Sequence, residues 1–334
     1  MADLVSLAEI RAAAQRLEGV AVRTPLLSVP AFRPVNLLVK PESLQPTGAF
    51  KLRGAYNAIA VLGDRARETG VVAHSSGNHG FAVAYAAAML GVRAAIVVPR
   101  NAAEVKTAAI KRAGAELVRV EPTLDARVEG AAKIAMTRGY AQVPPFDDPN
   151  VIAGQGTIGL EIAEDLAAPP AAVLVPVSGG GLVSGIAVAV KAAYPETRVI
   201  GVEPELAADA RESLRSGTLV RWPTSDVIRT KADALRVEQI GELTFAHIRE
   251  LVSDIVTVTE DEITGAIRQL ALGARLIAEP GGAVAVAAAL NRTGDELGVD
   301  KNGPSPLVAV VSGGNIDPSL LAAILASPNE SSRG

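Results

Sequence analysis

Eight short apolar runs rich in valine recur along the chain: Asn36–Lys40, Val71–His74, Ala94–Pro99, Ala115–Val120, Ala171–Val177, Arg198–Val202, Asp254–Val258 and Pro306–Val311. Their polarity does not alternate, which is the pattern of strands covered on both faces. Alanine-rich segments of helical length lie between most of them: Phe81–Leu90, Ala102–Ala113, Val183–Ala193 and Ile263–Ile277. The alternation predicts an α/β fold of parallel sheets covered by helices. Ser6 with Glu9, and Thr259 with Glu262, have capping-box spacing, so helices are expected to start there, the first ending at Gly19. Asn101 is expected to cap the helix that follows Pro99, and the polar tail Ser327–Gly334 is expected to fray. No internal period of repeat-protein length is present, and Pro144-Pro145 with Asp147–Asn150 marks a crossing between domains.

Composition narrows the classes. At about 150 residues per domain, 334 residues allow two domains with a closed site between them. The chain is 49% hydrophobic and 20% charged, which excludes wholesale disorder. Lys and Arg total 32 against 36 Asp and Glu, a net −4 scattered along the chain, so a nucleic-acid partner is not expected. Cysteine is absent, which removes disulfides, thiolate nucleophiles and cysteine-ligated metals. The start lacks a basic leader, and no apolar run reaches the ~18 residues of a membrane span; the expectation is a soluble, cytoplasmic protein with no membrane partner.

Three loops carry candidate chemistry. Ser178-Gly179-Gly180-Gly181-Leu182 joins a strand to a helix start, where glycines admit a ligand close to the backbone and unpaired N–H groups favour a phosphate. The bland reading is a tight packing turn. Gly179, Gly181 and Gly185 with Glu203 also give a loose dinucleotide pattern, off by one residue, which keeps a nicotinamide enzyme as a rival. Ser75-Ser76-Gly77-Asn78-His79-Gly80 again follows a strand and opens a helix, and as a unit suits a carboxylate; His79 alone reads as a surface or packed histidine. Lys51, in Pro46–Tyr56, lies among small and apolar residues at a helix start, where desolvation and the helix end both favour the free amine; alone, it is just a lysine.

A phosphate site, a carboxylate site and an amine nucleophile together suit a phosphorylated aldehyde cofactor acting on amino acids. The segment around Lys51 resembles the lysine motif of the fold-type-II pyridoxal-phosphate enzymes, specifically the threonine and serine dehydratases and the related serine racemases. The likeness continues in family order through Ser75–Gly80, Phe146–Glu161, Ser178–Gly185, Gly201–Glu203, Glu279-Pro280-Gly281-Gly282 and Ser312-Gly313-Gly314-Asn315. The resemblance implies two open, mainly parallel sheet domains of the tryptophan synthase β-like kind, with the cofactor ring between them. The larger would comprise residues 1–67 with 148–326, the smaller 68–147, and 327–334 a flexible tail.

The same resemblance implies the roles. Lys51 binds pyridoxal 5′-phosphate through its amine and, once freed, takes the substrate Cα proton; Phe50 flanks the ring. Asn78 meets the cofactor's 3′ oxygen, and Ser75, Ser76, Gly77 and His79 lie in the loop that grips the substrate carboxylate. Gly179, Gly180, Gly181 and Leu182 match the phosphate cup, and Ser312 faces the pyridine nitrogen, where a neutral hydroxyl favours elimination over transamination. The implied activity is dehydration and deamination of L-threonine and L-serine. Ser76 stands where racemase-like members exchange a proton on the far face, and Arg127 where some relatives hold an arginine that would admit 3-hydroxyaspartate. Glu203, Ala207 and Asp209 resemble a site for Mg²⁺ or Ca²⁺. Members are commonly homodimers, and the short sequence after Ser312 leaves no room for a C-terminal allosteric domain. A non-catalytic amino-acid or cofactor-binding module stays in competition, because Lys231 and Ala234 depart from the family pattern; Gly281 and Phe81 depart from it too and imply a pocket shaped differently from that of standard threonine enzymes.

Overall fold

The computed structural model describes residues 3–102 and 104–327. Its strands are β1 (Leu27–Ser28), β2 (Leu37–Pro41), β3 (Val71–His74), β4 (Ala94–Pro99), β5 (Glu116–Val120), β6 (Ala141–Gln142), β7 (Ala172–Pro176), β8 (Arg198–Pro204), β9 (Asp254–Val258) and β10 (Leu307–Val311). They form a six-stranded sheet in the order β1-β2-β10-β7-β8-β9 and a four-stranded sheet in the order β5-β4-β3-β6. Every pairing is parallel except β1 with β2. The architecture is α/β with two mainly parallel sheets, as expected. All eight apolar runs are strands; β1 and β6, of two residues each, are additions.

Burial on both faces explains the unbroken apolar runs. Along β7, Leu174 packs with Val39, Ile200 and the alanines of the helix Pro280–Asn291, while Val173 and Val175 face Val183 and Ile186 of the helix Gly181–Ala193. The smaller sheet repeats the arrangement. Val71, Ala73 and Ile96 pack on the helix Asn78–Leu90, and Val72, Ala95 and Val97 on Ala131 and Ile134 of the helix Leu124–Arg138.

Both expected capping boxes are present, Ser6 with Glu9 before Leu7–Leu17 and Thr259 with Glu262 before Glu260–Gln269. The last helix stops short of Ile277 because a π-helical turn, Leu270–Ala274, leads into Arg275 at φ 60°. The helix near Asn101 runs over Glu104–Arg112, so the residue preceding it, where a cap would stand, lies outside the described residues, as does the expected frayed tail beyond Ser327.

The helix Lys51–Leu62 packs between the helices Asn78–Leu90 and Pro149–Asp165. It buries Leu52, Ala55 and Ile59 in the core under the four-stranded sheet, and Asn57 and Gly54 bond to Asn150 and Gln155 of the helix Pro149–Asp165. Close approach here requires glycine: a Cβ on Gly154 would fall 2.6 Å from the Arg53 carbonyl oxygen, and one on Gly185 2.3 Å from that of Ile152. Among the described residues, no helix is long and apolar enough to cross a membrane.

Candidate active site

The loops that leave the C-terminal ends of β3, β7 and β10 converge with the segment after β2, at the edge where parallel α/β sheets bind ligands. The Phe50 amide donates to the Ser312 carbonyl at 3.0 Å, Ala49 bridges Gly313, and the Gly314 amide donates to the Gly48 carbonyl at 2.8 Å. Lys51 is thereby set beside the end of β10. Its ammonium donates to the Pro145 carbonyl at 2.7 Å and lies 5.0 Å from the centre of the Phe50 ring. Desolvation of the amine lowers its pKa from 10.5 to about 8, as expected for a helix start among apolar groups.

The residue after Pro145 reaches the glycine loop. A Cβ on Gly179 would fall 2.0 Å from the Phe146 ring, and Gly180 adopts φ 91°, a left-handed conformation natural to glycine. Thr244 Oγ1 donates to the Gly179 carbonyl at 2.8 Å, and the Ser184 amide to that of Gly180 at 3.0 Å. With these carbonyls engaged, the opening N–H groups of the helix Gly181–Ala193, including that of Leu182, remain for an anion. Asp147 accepts from the Glu242 and Thr244 amides at 3.2 and 3.1 Å, capping the helix Glu242–Leu251 from the same segment that carries Phe146.

After β3, the Gly77 amide donates to Ser75 Oγ at 3.2 Å; Ser75, Ser76 and Gly77 are half-buried, and the helix starts at Asn78. Asn78 is held on both sides of its amide: Nδ2 donates to Glu279 Oε1 at 2.6 Å, and Oδ1 accepts from Asn315 Nδ2 at 2.8 Å. Glu279 precedes the helix Pro280–Asn291, and its amide donates to the Gly313 carbonyl at 3.0 Å. Ser312 Oγ lies 3.4 Å from the Gly281 carbonyl, to which it donates. The structure thus brings Lys51, Phe50, Ser75–Asn78, Gly179–Leu182 and Ser312 together. Glu279 and Asn315, quoted above only inside motifs, join them. Their signal in the sequence was position within those motifs; nothing local revealed the link to Asn78.

His79 behaves differently from its neighbours. Its ring is buried with Nε2 2.8 Å from the Val143 carbonyl; desolvation, reinforced by Lys51, holds its pKa down at about 3. The imidazole is therefore a packed, neutral group, and only its backbone can serve the loop. Arg127, half-buried on the helix Leu124–Arg138, has its pKa lowered by desolvation; burial first, and then the Arg127 charge, lower the pKa of His74 at the end of β3.

Glu203, next to last in β8, accepts from the Ala210 and Arg211 amides at 3.1 and 2.8 Å, so it caps the helix Asp209–Ser216 rather than waiting for a ribose. With Gly185 explained by helix packing, the dinucleotide reading loses both of its supports. Burial, and then the neighbouring Asp209, push the Glu203 carboxyl well above the usual range; burial raises Asp209 to about 7, and its Oδ2 has no hydrogen-bond partner among the described residues. Among the described residues, no cluster of three or more His, Cys, Asp or Glu side chains could hold a metal ion. Two departures from the family pattern face one another. A Cβ on Gly281 would stand 3.3 Å from that of Ala234, so the smaller residue at one position accommodates the larger at the other. Phe81 packs edge-on against Tyr85, with ring centres 6.2 Å apart.

A desolvated amine, a glycine-lined helix start, an amide fixed from both sides and a neutral hydroxyl fit an aldehyde cofactor carrying a phosphate. The chain matches the family model described as pyridoxal-phosphate dependent enzyme over residues 17–313. It is 42% identical to the L-threonine ammonia-lyase of Thermotoga maritima over 96% of this chain and 78% of that protein. It is 37% identical to the L-threo-3-hydroxyaspartate ammonia-lyase of Saccharomyces cerevisiae over 95% of each. The solved structure of maize serine racemase superposes with a TM-score of 0.90 at 34% identity, covering 96% of this chain and 97% of that one. The family match spans most of the sequence, and the chain belongs to the pyridoxal-phosphate dependent enzymes.

Proposed function

We propose that the chain eliminates water from L-threonine and L-serine and releases ammonia, giving 2-oxobutanoate and pyruvate. The observation that carries this reading is the desolvated Lys51 amine beside a glycine-lined helix start, in a family whose relatives include a threonine ammonia-lyase. Pyridoxal phosphate, when bound, supplies the electron sink for a substrate carbanion at Cα. Lys51 holds the cofactor and, when freed, takes the Cα proton as an amine whose proton affinity burial has already lowered. Gly179, Gly180, Gly181 and Leu182 hold the phosphate with backbone N–H groups, and Phe50 flanks the ring. Asn78 presents its amide to the 3′ oxygen, oriented by Glu279 and Asn315. Ser312 offers the ring nitrogen a neutral hydroxyl, which favours loss of the β-hydroxyl. Ser75, Ser76 and Gly77, with the backbone of His79 at the helix start, bind the substrate carboxylate.

Two observations support side activities. Ser76 lies in the carboxylate loop of a chain that superposes closely on a serine racemase, which supports some racemisation of serine. The half-buried Arg127 supports acceptance of 3-hydroxyaspartate. The unpartnered Asp209 Oδ2 beside Glu203 supports a Mg²⁺ or Ca²⁺ ion held by both carboxylates and the Ala207 carbonyl. The smaller unit is proposed over residues 68–147 and the larger over 1–67 with 148–326. The separate sheets favour that division, although the helix Lys51–Leu62 also packs under the smaller sheet. A homodimer rests on the family resemblance alone.

Keto-acid and ammonia release from L-threonine, L-serine and L-threo-3-hydroxyaspartate, with chiral analysis of serine and a parallel chelator-treated arm, tests the reading. Turnover of L-threonine and L-serine is expected, with D-serine a minor product and a lower rate after chelation. Formation of D-serine without keto acid, or no turnover of either substrate by protein loaded with pyridoxal phosphate, overturns it.

A further inference from the structure

The segment from Glu42 to Arg53 leaves β2, passes the end of β10 and carries Lys51 two residues before its own end. Its two termini meet. Arg53 Nε donates to Glu42 Oε2 at 2.8 Å and an Nη to Oε1 at 2.9 Å, a two-pronged pair between groups that are both fully buried. The other edge of the guanidinium reaches Glu161 of the helix Pro149–Asp165, at 2.6 Å to Oε1 and 3.0 Å to Oε2. It also donates to Thr157 Oγ1 and the Val22 carbonyl. Lys40, itself fully buried, completes the cluster at 2.6 Å from Glu161 Oε2. Two cations and two carboxylates balance.

Clusters of this kind contribute little net stability compared with apolar residues of similar size, because desolvating the charges offsets their attraction. Their advantage is geometry. A guanidinium fork matches a carboxylate in one plane and at one separation, which an ammonium cannot do. Here the fork closes a loop whose last turn holds the reacting amine, and the same helix start must keep that amine 2.7 Å from the Pro145 carbonyl. The geometry points to Arg53 and Glu42 as a positioning pair: their two-pronged ion pair fixes the backbone of residues 42–53 so that the Lys51 amine stays aligned with the Pro145–Phe146 segment and the glycine loop. The inference rests on the proposed role of Lys51.

The test uses two charge-balanced double variants of the full chain. R53M/E42Q removes the two-pronged pair and leaves Lys40 with Glu161; K40M/E161Q removes the neighbouring pair and leaves Arg53 with Glu42; both lose the Arg53–Glu161 contacts, so the difference between them isolates the two-pronged pair. Each is examined for thermal unfolding, for kcat and KM, and, in cofactor-free protein, for the pH midpoint of Lys51 acylation read by peptide mass. For R53M/E42Q we expect a folded protein whose kcat falls about tenfold or more with little change in KM, as misplacement of a reacting group produces. Its acylation midpoint should move by about one pH unit, and K40M/E161Q should move it far less. Should R53M/E42Q fail to fold, R53K, which keeps the charge but loses the fork, takes its place with the same readouts. An unchanged midpoint and kcat in the folded variant overturns the inference, as do equal effects from both double variants. If borohydride does not fix the cofactor to Lys51 in the wild-type protein, the role of Lys51 fails instead, whatever the midpoints show.

Discussion

Desolvation sets the proton affinity of Lys51, and the reactivity that follows can be measured without any substrate. A base whose pKa falls from 10.5 to about 8 on folding holds fewer protons than the unfolded chain between those values. Its burial therefore weakens the cofactor-free fold below about pH 8, and the penalty is relieved as pH rises through that window. Acylation of Lys51 in cofactor-free protein should reach half its limiting rate near pH 8; a midpoint close to that of an exposed lysine would contradict the desolvated site. The neighbouring imidazole has no such part. His79 is neutral because burial, the first cause, and Lys51 both oppose its proton, and its ring is committed to Val143. The sequence, with no acidic partner near His79, left it a surface or packed histidine, and only the fold shows that its ring is buried. Arg53 and Glu279 are the opposite case. Both stand in recognisable motifs, yet their partners Glu161 and Asn78 lie 108 and 201 residues away, so no local pattern shows what they hold.

At the scale of elements, the central apolar runs were legible because burial on both faces leaves few polar positions to blur them, whereas the edge strand β5 exposes Glu116 and Arg119. Two-residue strands such as β1 and β6 carry too few positions to show any pattern. Caps within four residues were equally legible, as Ser6 and Thr259 show, whereas the cap on Glu242–Leu251 comes from Asp147, 95 residues from the amide it accepts. Glycines misled in one place. Gly185 entered a dinucleotide pattern, but its real constraint is the carbonyl of Ile152, on which a Cβ would intrude to 2.3 Å. Because that obstacle is backbone, it cannot swing aside. G185A should destabilise the fold by about 1–3 kcal/mol in denaturant unfolding. A variant as stable as the parent would show that the helices have room to part.

At the scale of the whole molecule, each sheet delivers its own loops, and the site exists where they meet. β3 of the smaller sheet supplies Asn78, β7 and β10 of the larger supply the glycine loop and Ser312, and the helix of Lys51 packs on the core under the smaller sheet and bonds to the helix Pro149–Asp165. Asn78, bonded to Glu279 and Asn315, links the smaller sheet to the end of the larger one. The order of the motifs along the chain was visible beforehand, and the loops of Ser75, Ser178 and Ser312 each follow a strand, but their convergence depends on strand order, and β10 inserting between β2 and β7 is a long-range event. This convergence builds the proposed cofactor site around one lysine, Lys51. Protein saturated with pyridoxal phosphate, reduced with borohydride, digested and weighed shows which lysine carries the cofactor. The account predicts the cofactor's mass on the peptide containing Lys51; modification confined to other lysines, or absent, would contradict it.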